Sequence, residues 1–181
     1  MTTPPPTGNS TTGRLIRIWL RDLVISVALS VFVIAFLYQP VKVEGTSMLP
    51  ELRDSDRVFI NKFAYHFEAI DRGDVVVFYY PGDPSKSYIK RIIGEPGDII
   101  RIDRGRVYRN GVSLTESYVP KRYRDERSMT ETRIPDGEYF VMGDHRSISS
   151  DSRDFGPVAR NYIYGKAVFV YWPTEEIGWV R

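Results

Sequence analysis

The feature that most constrains this chain is an uncharged, mostly apolar run at residues 23–38. With the residues before it, which include Arg17 and Arg21, the run reaches the roughly 20 residues that a helix needs to cross a bilayer. It lacks the polar face of a helix that packs on a soluble core, and it lacks the small residues of a signal-peptide cleavage site. We therefore predict a single transmembrane anchor at residues 14–39, which Pro40 ends.

The charges around this segment predict its orientation. Arg14, Arg17 and Arg21 precede it, and the tail of residues 1–13 contains no acidic residue. Cytoplasmic flanks of membrane helices are enriched in Lys and Arg, so we expect the N-terminus in the cytoplasm. The Thr- and Pro-rich tail itself is expected to be flexible. Residues 40–181 are then expected on the extracytoplasmic side of a plasma membrane or of an internal one such as a thylakoid.

Residues 40–181 are long enough to bury one core, and their pattern is typical of a mainly β fold. Asn110-Gly111 between short apolar runs predicts a two-residue hairpin turn, inside an insertion at about residues 101–135. We expect an N-terminal transmembrane helix followed by a compact, barrel-like β domain. The strands are predicted from runs rich in β-branched and aromatic residues, at residues 56–62, 74–80, 87–93 and 165–172.

The composition excludes several classes of protein. Lys and Arg number 25 against 23 Asp and Glu, and this net charge of +2 is too small for a typical nucleic-acid-binding face. The chain has no cysteine, which excludes disulfide scaffolds, thiolate metal sites and cysteine nucleophiles. With only His66 and His145, a zinc site of three histidines is excluded as well. We expect no metal, no cofactor and no nucleic-acid partner.

Four segments beyond the anchor have a distinctive order. The first contains Gly45-Thr-Ser-Met-Leu-Pro50, and the third contains Tyr88-Ile-Lys-Arg-Ile-Ile-Gly94. The second begins Arg72-Gly-Asp, and the last runs Gly143-Asp-His-Arg-Ser-Ile-Ser-Ser-Asp-Ser-Arg153. Behind a single anchor, these segments resemble the bacterial type I signal peptidases, membrane-bound serine proteases that release exported proteins from their signal peptides. The resemblance extends to about Val158 and is greatest to the short forms of Gram-positive bacteria and cyanobacteria.

The candidate catalytic residues are a serine and a lysine. A serine hydroxyl needs an adjacent base, and a lysine can serve when burial lowers its pKa from about 10.4 towards neutrality. In a strand, Tyr88, Lys90 and Ile92 share one face, whereas Arg91 points to the other and stays charged. Lys90 is therefore the better base. The resemblance implies the same pair, with Ser47 as nucleophile and Lys90 as general base, acting through an acyl-enzyme.

The resemblance also implies supporting roles around this pair. Ser149 orients the amine of Lys90, and the backbone N–H of Ser47 helps to hold the oxyanion. Gly45 and Met48 belong to the loop of the nucleophile. Some members have a serine at the position of Gly45 that supplies a second oxyanion donor, so the second donor in this chain stays open.

The last segment holds further candidates with two interpretations each. His145 stands where the family commonly has asparagine, and it is either a rival base or a turn residue that makes asparagine's hydrogen bonds. Asp144, Arg146, Asp151 and Arg153 are either an acid–base or metal-linked cluster, or ion pairs that brace the loop carrying the supporting serine. We favour the turn residue and the ion pairs.

The resemblance implies the partners as well. The substrates are secreted preproteins with small, alanine-like residues one and three positions before the cut, bound extended against a strand edge. The lipid bilayer is a second partner and the export translocon a candidate third. Ser47 follows Tyr38 by nine residues, at most about 30 Å of extended chain, which keeps it near the bilayer. The alternative is a non-catalytic, membrane-anchored β domain that binds exported chains or envelope partners.

Overall fold

The computed structural model describes residues 9–181, without the side chains of residues 9–12 and 33–36. Residues 1–8 of the predicted tail therefore lie outside the described residues. The chain divides into two compact units, Met1–Tyr38 and Gln39–Arg181.

The first unit contains a single helix, α1, at Asn9–Leu37. The helix begins within the predicted tail, so residues 9–13 are helical rather than irregular. Its described apolar side chains are exposed all round, and Trp19 is 73% exposed. No helix in the described part of the chain is both long and apolar enough to cross a membrane. The predicted transmembrane span is thus not found there, and its residues 33–36 have side chains outside the described set.

The second unit is mainly β, as the sequence predicts. Two four-residue helices and three single turns of 3-10 helix interrupt the strands. The helices are α2 (Ala64–Phe67) and α3 (Ser152–Phe155), and the strands are β1 (Tyr38–Lys42), β2 (Arg57–Asn61), β3 (Val75–Tyr80), β4 (Asp83–Gly94), β5 (Ile99–Asp103), β6 (Arg106–Arg109), β7 (Val112–Ser113), β8 (Met129–Arg133), β9 (Glu138–Met142), β10 (Val158–Ala159), β11 (Ile163–Trp172) and β12 (Gly178–Trp179).

The larger sheet has the strand order β1-β2-β11-β3-β4-β9-β10, with β12 paired to β11. Apolar side chains of this sheet and of the segments beside it form two buried clusters, one including Met48, Leu52 and Ile60 and the other including Phe78 and Ile92. Strands β1 and β10 are the two ends of this order, and no pairing among the described residues closes it into the expected barrel. A sheet buried against loops and short helices satisfies the same alternating pattern, which is why the sequence does not distinguish the two arrangements.

The predicted insertion forms a separate four-stranded sheet of order β7-β6-β5-β8. Strands β6 and β7 pair across Asn110-Gly111, whose φ angles of 52° and 80° are those of a type I′ turn. The hairpin prediction is therefore confirmed. Its apolar side chains pack with residues of β4 and β9 in a third buried cluster, which includes Ile100, Ile134 and Phe140.

Candidate active site

Ser47 lies in a tight loop between β1 and β2. Val43 at the start of the loop exchanges backbone hydrogen bonds with Ser55 and Asp56 at its end, and the N–H of Gly45 donates to Asp54 Oδ1 at 2.7 Å. The φ angle of Gly45 is +89°, a conformation that other residues rarely adopt, so a serine at this position would be strained. The loop is therefore held at both ends, with glycine required at its turn.

The side chain of Met48, next to Ser47, points into the protein interior. This side chain is 1% exposed and packs in the core of the larger sheet with Leu52 and Val58. The N–H of Leu52 donates to the carbonyl oxygen of Met48 at 3.0 Å, so the chain turns at once into the protein interior. Met48 thus anchors the serine loop by burial.

Lys90 lies on β4 opposite Val76 of β3, and its side chain reaches the serine loop. Its Nζ donates to Ser47 Oγ at 2.7 Å and to the carbonyl oxygen of Ile89 at 3.1 Å. The amine also lies 5.3 Å from the centre of the Tyr88 ring. The structure thus brings together the two residues that sequence analysis paired, although 43 positions separate them.

Burial gives Lys90 the properties of a base. The residue is 4% exposed, and this desolvation lowers the pKa of its amine to about 8. The carboxylates of Asp151 and Asp144 oppose the effect, since nearby negative charge favours the ammonium form. A neutral amine accepts a hydrogen bond from the serine hydroxyl, so the same 2.7 Å contact becomes a path for the proton.

Ser149 is buried beside this pair but does not contact the lysine through a hydrogen bond. Its hydroxyl is the single buried side-chain oxygen or nitrogen without a hydrogen-bond partner among the described residues. A Cβ atom on Gly143 would meet Ser149 Oγ at 2.3 Å and the carbonyl oxygen of Ser47 at 2.5 Å. The absence of a side chain at Gly143 is what lets the two loops approach so closely.

His145 binds main-chain oxygens of the serine loop, whereas the hydroxyl of Ser47 is bound by Lys90. Its main-chain N–H donates to the carbonyl oxygen of Ser47 at 3.0 Å, and its ring Nδ1 lies 3.2 Å from the carbonyl oxygen of Thr46. The ring packs against Tyr123 with the two centroids 4.4 Å apart. This agrees with the turn-residue interpretation rather than with a rival base.

The four charged residues of the last segment form ion pairs, but not all with one another. Asp144 binds Arg91 through two hydrogen bonds of 2.9 and 2.6 Å. Arg146 binds both carboxylate oxygens of Glu116 and donates to the carbonyl oxygen of Gly143 at 3.0 Å. The sequence does not predict these two partners, because Arg91 is 53 positions from Asp144 and Glu116 is 30 positions from Arg146.

Asp151 and Arg153 form the pair that the sequence suggested. Arg153 donates to both oxygens of Asp151 at 2.8 Å and also binds Asp125 at 2.6 Å. Asp151 accepts from the N–H of Gly143 at 3.0 Å and caps helix α3. These bonds hold the segment that carries Ser149 in one conformation.

An open cleft of about 710 Å³ lies over the Ser47–Lys90 pair. Residues 41–47 line one side and residues 86–90 of β4 line the other, with Val58, Ile60 and Val77 at its apolar floor. Each side includes extended backbone, residues 41–42 of β1 and residues 86–90 of β4, so an extended peptide fits between them. The described residues contain no group of three or more His, Asp or Glu side chains that would hold a metal ion.

A serine hydroxyl in contact with a buried lysine amine, beside an open cleft, is the arrangement that a hydrolase of the Ser–Lys class requires. The family described as "Signal peptidase, peptidase S26" matches residues 16–172. The chain belongs to this family and is accordingly a serine endopeptidase, which confirms the resemblance.

The relatives that this chain is similar to cover most of its length. Signal peptidase I of Bacillus amyloliquefaciens is 37% identical over 169 residues, which are 88% of this chain and 86% of that protein. Probable signal peptidase I-1 of Synechocystis is 34% identical over 86% of this chain and 82% of that protein. A crystal structure of a signal peptidase I from Enterococcus faecalis V583 is 32% identical, has a TM-score of 0.48, and covers 55% of this chain and 97% of its own.

Proposed function

We propose that this chain cleaves N-terminal signal peptides from exported preproteins, with Ser47 as nucleophile and Lys90 as general base. The observation that carries the proposal is the 2.7 Å contact between Lys90 Nζ and Ser47 Oγ. Burial lowers the pKa of the amine to about 8, which makes a free base accessible near neutral pH. Membership of the signal peptidase family supplies the substrate class.

The reaction has two stages. Lys90 takes the proton of the Ser47 hydroxyl as Oγ attacks the scissile carbonyl, and the backbone N–H of Ser47 stabilises the oxyanion. Collapse of this intermediate breaks the peptide bond, and the Lys90 ammonium gives its proton to the leaving amine. The neutral Lys90 amine then takes a proton from water as the water attacks the acyl-enzyme. It returns this proton to Ser47 Oγ as the ester bond breaks, which releases the signal peptide and restores the hydroxyl.

Ser149 serves this cycle by orienting the lysine. Its hydroxyl is buried beside the pair and has no partner among the described residues, so it is available to the amine. When Lys90 is protonated during the reaction, a hydrogen bond to an oxygen acceptor stabilises the ammonium form, and Ser149 is proposed to supply that oxygen. The ion pairs of Asp144, Arg146, Asp151 and Arg153 support this loop from behind.

The substrate lies extended in the cleft between residues 41–47 and residues 86–90. Main-chain hydrogen bonds to these two segments position the peptide irrespective of its sequence. Alternate side chains of the peptide then point to the floor at Val58, Ile60 and Val77. Small residues one and three positions before the cut fit such shallow sites.

The enzyme acts at a membrane through helix α1. The apolar side chains of the helix are exposed all round, which is costly in water and favourable in lipid. Arg14, Arg17 and Arg21 lie towards its N-terminal end and favour a cytoplasmic N-terminus, with the catalytic unit on the extracytoplasmic side. The bilayer, and the translocon that delivers preproteins, are then its neighbours.

The test is cleavage of a purified preprotein by the full chain in detergent, with the new N-terminus identified by mass spectrometry. Ser47→Ala and Lys90→Ala are expected to abolish cleavage. Two control variants change the same residue types at exposed positions that do not line the cleft: Ser113→Ala and Lys121→Ala. These controls are expected to keep near-native activity.

Cleavage that survives both Ser47→Ala and Lys90→Ala would exclude the pair as assigned. A native chain that retains the preprotein without cutting it would instead favour the alternative, a non-catalytic domain that binds exported chains.

A further inference from the structure

The side chain and the main chain of His145 bind the two peptide groups that flank the nucleophile. The main-chain N–H donates to the carbonyl oxygen of Ser47, and ring Nδ1 lies 3.2 Å from the carbonyl oxygen of Thr46. A carbonyl oxygen only accepts, so the ring contact is a hydrogen bond in the tautomer with its proton on Nδ1. Almost any residue at this position supplies the main-chain bond to Ser47, whereas the bond to Thr46 requires a side chain with a hydrogen-bond donor.

The carbonyl group of Thr46 and the N–H of Ser47 belong to one rigid peptide plane. A donor bound to the oxygen of this plane fixes the direction in which the N–H points. It also polarises the peptide group, which makes the N–H a stronger donor. Position 45 is a glycine with φ of +89° and no hydroxyl, so the direction of the Ser47 N–H carries more of the oxyanion stabilisation.

We propose that the imidazole ring of His145 is a positioning group for the oxyanion hole. It holds the Thr46–Ser47 peptide so that the Ser47 N–H faces the oxygen of the scissile carbonyl. The ring acts through this peptide and takes no proton from the nucleophile, whose hydroxyl is bound by Lys90. The inference rests on the proposed function, because an oxyanion arises only in acyl transfer.

Packing of the ring on Tyr123 is the competing explanation for the position of His145. The two rings are tilted by 56° with centroids 4.4 Å apart, a contact that would hold the loop whatever Nδ1 does. The two roles use different parts of the side chain and are separable by substitution. Asparagine keeps an N–H donor near the place of Nδ1 and loses the ring, whereas Tyr123→Leu keeps the donor and loses the ring pair.

The experiment measures kcat and KM on a signal-peptide-derived fluorogenic peptide, using the full chain and four variants. His145→Ala and His145→Asp lack the donor, and we expect kcat to fall about tenfold to a hundredfold with KM nearly unchanged, since the oxyanion forms only on the way to the transition state. His145→Asn and Tyr123→Leu are expected to stay within about threefold of native kcat.

A second measurement separates the oxyanion from ground-state binding. A peptide aldehyde adds the Ser47 hydroxyl across its carbonyl group to form a tetrahedral hemiacetal, whose oxygen occupies the oxyanion position. Its affinity is expected to fall with kcat in the Ala and Asp variants, whereas affinity for an uncleavable peptide of the same sequence stays constant.

Equal losses for His145→Asn and His145→Asp would overturn the inference, because these two side chains have the same shape and differ in the donor. A loss confined to KM, or a loss for Tyr123→Leu as large as for His145→Ala, would overturn it as well. If the native chain cleaves the peptide and His145→Ala has the same kcat, the role of His145 is excluded and the proposed function stands. If the native chain does not cleave the peptide, both the proposed function and the role of His145 are excluded.

Discussion

Arg91 and Asp144 form a bidentate ion pair in the interior, with side chains that are 2% and 0% exposed. Arg91 directly follows Lys90 on β4, so adjacent residues hold a charged guanidinium and an amine whose pKa burial lowers to about 8. The guanidinium is the stronger base to begin with, and the partners of the two side chains widen the difference. Arg91 has a carboxylate, whereas Lys90 has a hydroxyl and a carbonyl oxygen, which compensate a buried charge far less.

The activity should depend on the neutral form of Lys90. With a pKa of about 8, kcat/KM is expected to rise about tenfold per pH unit below that value and to level off above it. The measurement is the pH profile of kcat/KM between pH 6 and 10. A flat profile over this range would contradict Lys90 as the base.

The same group should make stability depend on pH. The pKa of Lys90 is lower in the folded chain than in the unfolded chain, so the unfolded chain binds more protons between pH 8 and 10.5 and stability rises across that interval. Relative to Lys90→Met, the free energy of unfolding of the native chain should increase by about 3 kcal/mol. Urea denaturation of both proteins at pH 7.5 and pH 10.5 measures it, and parallel behaviour of the two would count against a neutral buried amine.

Breaking the Arg91–Asp144 pair should destabilise the fold strongly. Asp144→Asn leaves a buried guanidinium without its counter-charge, at an expected cost of about 3–5 kcal/mol in the free energy of unfolding. The double variant Arg91→Met with Asp144→Leu removes both charges and should recover a large part of that loss. Chemical denaturation measures all three proteins, and a double variant less stable than Asp144→Asn would show that charge compensation is not the reason.

Ser149 and Ser152 offer a matched pair of buried serines, both 4% exposed. Ser149→Ala removes a hydroxyl without a partner in the described residues, so we expect a large fall in kcat and almost no change in stability. Ser152→Ala removes the acceptor of the Val141 N–H and should cost about 1–3 kcal/mol of stability. Both variants are compared by activity and by thermal unfolding. If Ser149→Ala cleaves normally, the hydroxyl does not orient the lysine.

Gly143→Ala should inactivate the enzyme through displacement of the serine loop. The added Cβ would lie 2.5 Å from the carbonyl oxygen of Ser47 and 2.3 Å from Ser149 Oγ, so at least one of them must move. A shift of this size at the nucleophile is expected to lower kcat about a hundredfold. Gly178→Ala, where a Cβ has room, is the control. Native kcat in Gly143→Ala would show that the two loops tolerate separation.

The parts of the fold that sequence predicts are those set by local chemistry. The Asn110-Gly111 turn follows from two residues that accept positive φ, and the placement of Lys90 and Arg91 on opposite faces follows from strand alternation. Pairing Ser47 with Lys90 needed the family resemblance, because nothing local relates residues 43 positions apart.

Other features depend on tertiary packing and were not predicted. The partners of Asp144 and Arg146 come from other elements, and no sequence period links them to Arg91 and Glu116. The open order of the larger sheet has the same reason, since closure depends on which strands meet at its ends. The sequence shows the acid of the Gly-Asp-x-Arg segment, Asp144, but it does not show that Arg91 is its partner.

The lowered pKa of Lys90 exists only where β4 and the serine loop are packed together, since it arises from burial. In an unfolded chain the amine is an ordinary ammonium ion and the distant hydroxyl is an ordinary alcohol. Folding of the chain is therefore the step that activates the enzyme. A newly made molecule is inactive until β4 and the serine loop have packed together.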